Sequence, residues 1–549
     1  MAELDGSTII ARSLKAQGVE HIFGIMGFPI VDLAQVVQRE GLHYYGFRNE
    51  QSASYAAGAF GYLTGRPGVC LTVSGPGMVH AVAGLSNAWA NCWPMLLLSG
   101  APDGYQREQG AFQEAPQMEA ARPFVKLSTR PDSLARVPAY IEKCVRTALY
   151  GRPGAVYLDL PNDVIAGSLA ADTVRWAPCC PPAPATLADP AEVEAALAAL
   201  RGAKRPLVIV GKGAAYARAE HEVRRFIDAS GLPFLASPMG KGVVPDDHPQ
   251  SVAPARSLAL QEADVVFLVG ARLNWIMHFG LPPRFAPGVK VIQLDVAAEE
   301  IGTNVPAAVG LVGDARAVMA QLNAALDAAP WRFADGEWWS ALRAKAAEND
   351  AQVSAMMRDD ALPMGYYRVF AEIRAHLTPD AVIVSEGANT MDIGRGVMPN
   401  LDARLRLDAG TFGTMGVGPG FAIAAAVAHP DRRVFCIEGD SAFGFSGMEV
   451  ETACRYRLPI TFIVVNNNGI GAGAESLGEV VPPNVYTPNA RYEQVMEAFG
   501  GRGFFATTPA ELRSALSAAA GEKTMPTLIN VMINPTSTRK PQKFDWLTR

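Results

Sequence analysis

Charge is scarce in this 549-residue chain: Asp, Glu, Lys and Arg make up 19% of it, against 49% hydrophobic residues. Disordered segments show the opposite balance, so most of the chain is expected to pack. Positive charge is not in excess either. With 48 Lys+Arg against 54 Asp+Glu the formal net charge is −6. No basic run stands out, which disfavours a nucleic-acid partner. Long hydrophobic runs are missing: none approaches the roughly 18 residues of a bilayer-spanning helix, so no membrane span is expected. The stretch 1–20 carries charges throughout and reads as an amphipathic helix, not a signal peptide. Cysteine is sparse. The seven are scattered, with Cys179 and Cys180 adjacent, and no CxxC pair suggests zinc or a disulfide framework. What remains is a large soluble enzyme of a reducing compartment.

At roughly 150 residues per domain, the length implies three or four domains. Short apolar runs alternate with helical patterns, the signature of parallel α/β sheets. A first unit, 1–176, holds strands at 69–73, 94–98 and 155–159. The Pro- and Ala-rich stretch 177–190 reads as a linker. A second unit, 190–330, holds strands at 207–210, 265–269 and 289–294, and 331–362, with Trp338 and Trp339, reads as a helical connector. A third unit, 363–535, holds strands at 381–385, 433–437 and 460–465, and a polar, basic tail occupies 536–549. The expected fold class is α/β with three doubly wound parallel-sheet domains. The first and third units are similar in size, but the sequence by itself shows no duplication.

The strongest constellation begins at Glu438-Gly439-Asp440-Ser441-Ala442 and ends at Asn466-Asn467-Asn468-Gly469-Ile470. Each half follows an apolar strand, so both loops lie at the carboxyl edge of one parallel sheet, where such sheets bind ligands. Asp440 offers a carboxylate, and Asn467, 27 residues on (467 − 440), offers an amide oxygen. Hard oxygens of this kind suit Mg²⁺ bridging to a phosphate. A helix expected to start near Ser446 would turn its N-terminal N–H groups toward the anion. Either loop alone reads more readily as an ordinary turn; the pair at this spacing points to a site.

The pairing resembles the diphosphate-binding motif of thiamine diphosphate (ThDP) enzymes, GD(G/S) followed by NN. Other segments then align along essentially the whole chain: Phe47-Arg48-Asn49-Glu50 before a small-residue helix, Ser74-Gly75-Pro76-Gly77, and the glycine-rich run 410–418. The resemblance implies three domains of the ThDP-enzyme type, with ThDP and Mg²⁺ as cofactors. Metal ligands would be Asp440, Asn467 and the Gly469 carbonyl. Cofactor contacts would come from Ala388, Asn389, Gly413, Met415, Gly439, Ser441, Ala442 and Ile470. Glu50 would follow a strand into an apolar crevice and hydrogen-bond the pyrimidine, so that the cofactor acts as its own general base. A glutamate salt-bridged beside Arg48, and ordinary core packing for Met415, are the competing readings. The resemblance also implies a dimer or tetramer with the active site between subunits.

Within that family, Ala111-Phe112-Gln113-Glu114, Gly151-Arg152-Pro153-Gly154 and the ending Arg539-Lys540-Pro541 look like the 2-hydroxyacyl-CoA lyase branch, close to oxalyl-CoA decarboxylase. The implied reaction splits a 2-hydroxyacyl-CoA into formyl-CoA and an aldehyde or ketone, or runs in reverse. Gln113 and His80 are candidates to sit near the substrate hydroxyl, a capped core histidine being the alternative for His80. Oxalyl-CoA decarboxylase, an acetolactate synthase-like enzyme and a non-catalytic paralogue stay open. In the middle unit, Lys212, Arg272 and Asp295 with Arg152 suit ADP, unless Gly211-Lys212-Gly213 is a structural turn. Phe112 would line the substrate pocket. Arg404 and Arg406 would meet CoA phosphates or form a solvated face. Arg539 and Lys540, with Phe544 and Trp546, suggest a lid that orders when acyl-CoA arrives. The sequence ends Leu547-Thr548-Arg549, with no SKL-like signal, so a cytoplasmic, bacterial location is expected.

Overall fold

The computed structural model describes residues 2–473 and 478–541. Within them, three parallel sheets follow one another along the chain. The first runs, edge to edge, His43–Gly46, His21–Gly24, Gly68–Thr72, Met95–Ala101, Ala155–Pro161 and Ser128–Thr129. The third runs Arg406–Asp408, Val382–Ser385, Val434–Gly439, Ile460–Asn466, Thr527–Met532 and Arg502–Ala506. Counted from each sheet's own first strand, both orders are 2-1-3-4-6-5. The kinship invisible in the residues is therefore present in the topology. The middle sheet runs Phe234–Ala236, Pro206–Val210, Val265–Val269, Lys290–Asp295 and Ala307–Val312, an order of 2-1-3-4-5.

Central strands such as Met95–Ala101 and Val265–Val269 are buried along their whole length, as parallel sheets covered by helices on both faces require. In each sheet the order reverses beside its first strand, which opens a crevice at the carboxyl edge. The turn 73–77, the loops 211–212 and 270–272, and the loops 386–389 and 439–440 all lie at such reversals.

The first and third sheets share a core through helices Glu50–Thr64 and Gly418–Ala428, both rich in Ala and Gly. Their approach is close enough to need those residues: a Cβ on Gly420 would lie 2.7 Å from the Ser52 carbonyl oxygen. Helix Glu337–Met357 belongs with the middle sheet, because Trp338, Trp339 and Leu342 are buried against Leu207 and Ile209. Residues 174–189 form no helix or strand, although the Cys180 amide donates to Gln17 Oε1 at 2.8 Å. Several strands lay beyond the sequence reading, among them His21–Gly24 and Arg406–Asp408. They are short, and His, Arg and Asp break the apolar run. Among the described residues no helix is long and apolar enough to cross a membrane.

Candidate active site

Strand His43–Gly46 leads into helix Glu50–Thr64 through Asn49, whose side chain accepts from the Gln51 amide at 2.8 Å and caps the helix. Glu50 is the first helical residue. Its carboxylate lies 3.2 Å from His80 Nδ1, and a Cβ on Gly77 would come within 3.0 Å of Glu50 Oε1. The expected apolar crevice is thus lined on one side by Val73 and Gly77, but its mouth is polar. The partner of Glu50 is His80 rather than Arg48, which is exposed. His80, 60% exposed, is not a core histidine. Gln113 does not project freely either: it adopts φ +57°, and its side-chain oxygen accepts from Ser74 Oγ at 3.2 Å. Phe112 is 68% exposed and packs edge-on against Phe28.

The glycine turn of this half-site is held from below by a residue the sequence reading missed. Buried Gln117 accepts the Gly75 amide at 2.5 Å and donates to the Gly100 carbonyl, Tyr157 Oη and Asp159 Oδ1. Asp159 is fully buried and pairs with Arg130 at 2.5 Å. No local pattern marks Gln117, since its partners come from three separate segments.

The second half-site lies on the third sheet. Helix Asp440–Ser446 starts at Asp440 and ends at Ser446, so the helix expected to begin near Ser446 begins six residues (446 − 440) earlier. The cause is that Asp440 receives the Ser441 amide at 2.9 Å, turning the chain directly from strand to helix. Asp440 Oδ2 accepts the Gly469 amide at 2.9 Å, and burial pushes the carboxyl up to about 7 against these hydrogen bonds. Asn467 uses its amide nitrogen on the Gly471 carbonyl, 2.7 Å away, and leaves its oxygen facing elsewhere. A buried carboxylate, an amide oxygen and the Gly469 carbonyl make a donor set suited to a hard divalent cation, whose charge would reverse the upward shift of Asp440. Ser441 Oγ lies 3.1 Å from Tyr486 Oη, Gly439 and Ala442 flank the turn, and Ile470 is half exposed. Ala388 and Asn389 open helix Ala388–Val397 beside it.

Met415 is partly buried and Gly413, at φ +65°, is exposed. Their segment is anchored by Glu386, which accepts the Gly416 and Gly418 amides. Burial raises Glu386 to about 7.

Lys212 and Arg272 meet at the middle crevice. Lys212 Nζ donates to Asn91 Oδ1 at 2.6 Å, and burial, with Arg272 nearby, lowers its pKa to about 7. Arg272 donates to the Ala90 carbonyl at 2.8 Å. Both line a cavity of about 50 Å³ with Ser237, Asn274, Asp408 and Thr411. Arg152 and Asp295 do not join them as an open nucleotide pair: they bind each other at 2.9 Å, and Glu300 takes the other arm of Arg152 at 2.9 Å.

Two arginines expected at CoA phosphates are engaged elsewhere. Arg404 pairs with Glu220 at 2.7 Å and bonds the Ala215 carbonyl, joining third and middle units. Arg406 is neither phosphate-facing nor solvated. Its strand is an edge of the third sheet, yet the side chain is buried under neighbouring segments, 3.9 Å from Asp408.

The tail is docked, at least through 541. Arg539 binds Asp392 at 2.6 Å, while Lys540 reaches Asn349 with its ammonium and Tyr367 with its amide. Arg539 and Lys540 of the expected lid are thus held by side chains of the rest of the chain, and Phe544 and Trp546 lie outside the described residues. Around Asp392 the fold also gathers Arg395, at 2.9 Å, and near it Arg256 and Arg284. Burial and the adjacent Arg284 and Arg395 lower Arg256 to about 10. Such a concentration of cations suits a polyanion. Arg256 and Arg395 were missed because they are isolated arginines far apart in the sequence.

Three family descriptions match: "Thiamine pyrophosphate enzyme, N-terminal TPP binding domain" over residues 4–120, the central domain over 193–322, and the C-terminal TPP binding domain over 387–531. The chain is 52% identical to 2-hydroxyacyl-CoA lyase 1 of Mus musculus and of Homo sapiens, over 100% of this chain and 97% of each relative. It is 42% identical to an oxalyl-CoA decarboxylase of Escherichia coli, over 97% of this chain and 95% of that relative.

Proposed function

The chain belongs to the thiamine pyrophosphate enzyme family, among its 2-hydroxyacyl-CoA lyases, and from that premise we propose how its residues divide the work. The enzyme is a carbon–carbon lyase that cleaves a 2-hydroxyacyl-CoA to formyl-CoA and an aldehyde or ketone, and joins them in reverse. The observation that carries the catalytic assignment is the contact of Glu50 with His80 at 3.2 Å, above the glycine turn that leaves room for it.

When bound, ThDP supplies the electron sink for the broken C1–C2 bond. Glu50 holds the pyrimidine by a hydrogen bond, and His80, exposed on the pocket side, exchanges a proton with Glu50 or with the substrate oxygen. Asp440, Asn467 and Gly469 hold Mg²⁺ on the diphosphate. Arg256, Arg395, Arg539 and Lys540 receive the CoA phosphates. The cavity beside Lys212 and Arg272 would take the anionic part of a nucleotide such as ADP, and Arg152 and Asp295, outside its lining, would have to open their mutual pair to join it.

Large apolar side chains stand exposed around both half-sites: Phe28, Val79 and Phe112 near Glu50, and Phe445, Met448 and Ile470 near Asp440. Such clusters mark surfaces that associate, which supports a dimer or tetramer whose cofactor lies between subunits. A cytoplasmic location completes the proposal.

The test is one assay with purified protein, ThDP and Mg²⁺, offered a 2-hydroxyacyl-CoA or oxalyl-CoA. Formyl-CoA with an aldehyde or ketone from the first substrate is the expected outcome. CO₂ from oxalyl-CoA, with no cleavage of the hydroxyacyl thioester, would instead make it a decarboxylase.

A further inference from the structure

We infer that Glu449 is a positioning residue for Glu50, acting from the third unit on the first; this rests on the reading of Glu50 as the group that touches the cofactor. Glu449 opens helix Glu449–Arg455 and is 1% exposed. Its carboxylate accepts two successive backbone amides, Arg48 at 3.2 Å and Asn49 at 3.1 Å, directly before Glu50. Thr452 Oγ1 donates to the second carboxylate oxygen at 2.7 Å. The grip continues along the same stretch. Tyr456 Oη accepts the Gly46 amide at 2.7 Å and donates to the Tyr44 carbonyl, and Arg455 donates to the Gly46 carbonyl at 2.7 Å. One short helix and the residue after it therefore hold the backbone from Tyr44 to Asn49.

Mere adhesion between domains does not call for a carboxylate here. Taking a charge out of water is costly unless it is well satisfied, and an apolar contact would join two domains without that penalty. What a carboxylate adds is directional: Oε1 accepts both consecutive N–H groups, Oε2 takes the Arg48 N–H as well at 3.3 Å, and together they fix the orientation of the peptide planes. Those planes lead into the Asn49 cap, and the cap sets where the Glu50 side chain leaves the helix. A displacement of about 1 Å at a catalytic group lowers rates by roughly a hundredfold. The clamp thus ties the angle of Glu50 to a helix that begins nine residues (449 − 440) after Asp440. Asn49 can still cap the helix when Glu449 is changed, so the loss should fall on precision rather than on folding.

The experiment compares wild type, Glu449→Ala, Glu449→Gln, Thr452→Val and Glu50→Gln as holoenzymes with ThDP and Mg²⁺. Readouts are kcat and KM for a 2-hydroxyacyl-CoA, the Kd for ThDP by fluorescence titration, and amide hydrogen exchange of the peptide spanning 44–52. Glu449→Ala should lower kcat at least tenfold, leave KM and the ThDP Kd within threefold, and speed exchange at 48–49. Glu449→Gln, which keeps one acceptor oxygen, should recover at least half of that loss on a logarithmic scale. Thr452→Val, which removes only the supporting hydroxyl, should move kcat and exchange in the same direction by less, and serves alone if Glu449→Ala does not fold. Unchanged exchange at 48–49, or kcat within threefold of wild type while Glu50→Gln is at least a hundredfold slower, overturns the clamp. If Glu50→Gln itself stays active, the reading of Glu50 has failed, and exchange alone then decides whether Glu449 holds the segment.

Discussion

Replacing Lys212 by Met should make the ligand-free protein more stable, although it removes a hydrogen bond. Lys212 is buried beside Arg272, and the only side-chain hydrogen-bond acceptor on its ammonium among the described residues is the neutral amide oxygen of Asn91. Its pKa falls from 10.5 to about 7. At 1.36 kcal/mol per unit, that shift corresponds to about 5 kcal/mol of disfavoured charge in the folded state. Methionine reaches a similar length without charge. Its substitution forfeits a hydrogen bond worth about 1–1.5 kcal/mol, and Asn91 Oδ1 still receives the Thr411 amide at 3.2 Å. A net gain of about 3.5–4 kcal/mol follows, or roughly 7–16 °C in the melting of a domain of this size.

The pH dependence has a definite sign. A lysine with a depressed folded-state pKa is neutral in both states above about pH 10.5 and imposes nothing there. As pH falls toward 7, the unfolded chain takes up the proton first, and the penalty grows until it is complete below about 7. Scanning calorimetry of wild type and Lys212→Met from pH 6 to 9.5 should therefore show the largest gap at pH 6, narrowing as pH rises. A variant that melts at or below wild type at pH 6, or a gap constant across the range, would refute the reasoning. A buried charge retained at this expense implies an anionic ligand. ADP should raise the wild-type melting temperature at pH 7 and leave Lys212→Met unmoved.

Three further outcomes are expected. Asp440→Ala should erase the rise in melting temperature that ThDP and Mg²⁺ produce in the wild type, because the buried carboxylate at the turn is the charged member of the metal's donor set; thermal melts with and without cofactor check this. Analytical ultracentrifugation should find a dimer or larger at assay concentration, with activity falling on dilution; a fully active monomer would contradict the shared site. Ending the chain after Pro535 removes the Arg539–Asp392 and Lys540–Asn349 contacts. It should raise the acyl-CoA KM at least tenfold and leave the ThDP-induced shift in place, and kinetics equal to full length would reduce the segment to a plain terminus.

What the residues disclosed in advance depended on how far apart the cooperating groups lie. Asp440 and Asn467 were legible because each follows a strand built on an apolar run, so the loop position could be read from neighbours in the chain. Glu449 was not legible: its partner amide belongs to Arg48, 401 residues away, and a glutamate at the start of a helix ordinarily faces water. Arg404 and Arg406 show the converse. Their proximity to the glycine-rich segment suggested phosphate contacts, yet one is matched by Glu220 across a domain boundary and the other is buried beside Asp408 on an edge strand. Charge in a sequence does not reveal whether a countercharge waits in the fold.

The shared strand order of the first and third sheets carries the argument further. Topology alone would offer the same binding edge twice, yet the two edges are furnished differently. In the first sheet, Glu50 follows the second strand and stands above the glycine turn after the third. In the third sheet, the loop after the third strand carries Asp440, while the loop after the first carries Glu386, Ala388 and Asn389. One edge offers a carboxylate next to an exposed imidazole, and the other offers oxygen donors of a kind that suits a cation, with a buried glutamate behind them. A cofactor with a heterocycle at one end and a diphosphate at the other needs both kinds of edge at once. A fold that presents the same crevice twice meets that need when the two copies diverge in their loops and keep their strands.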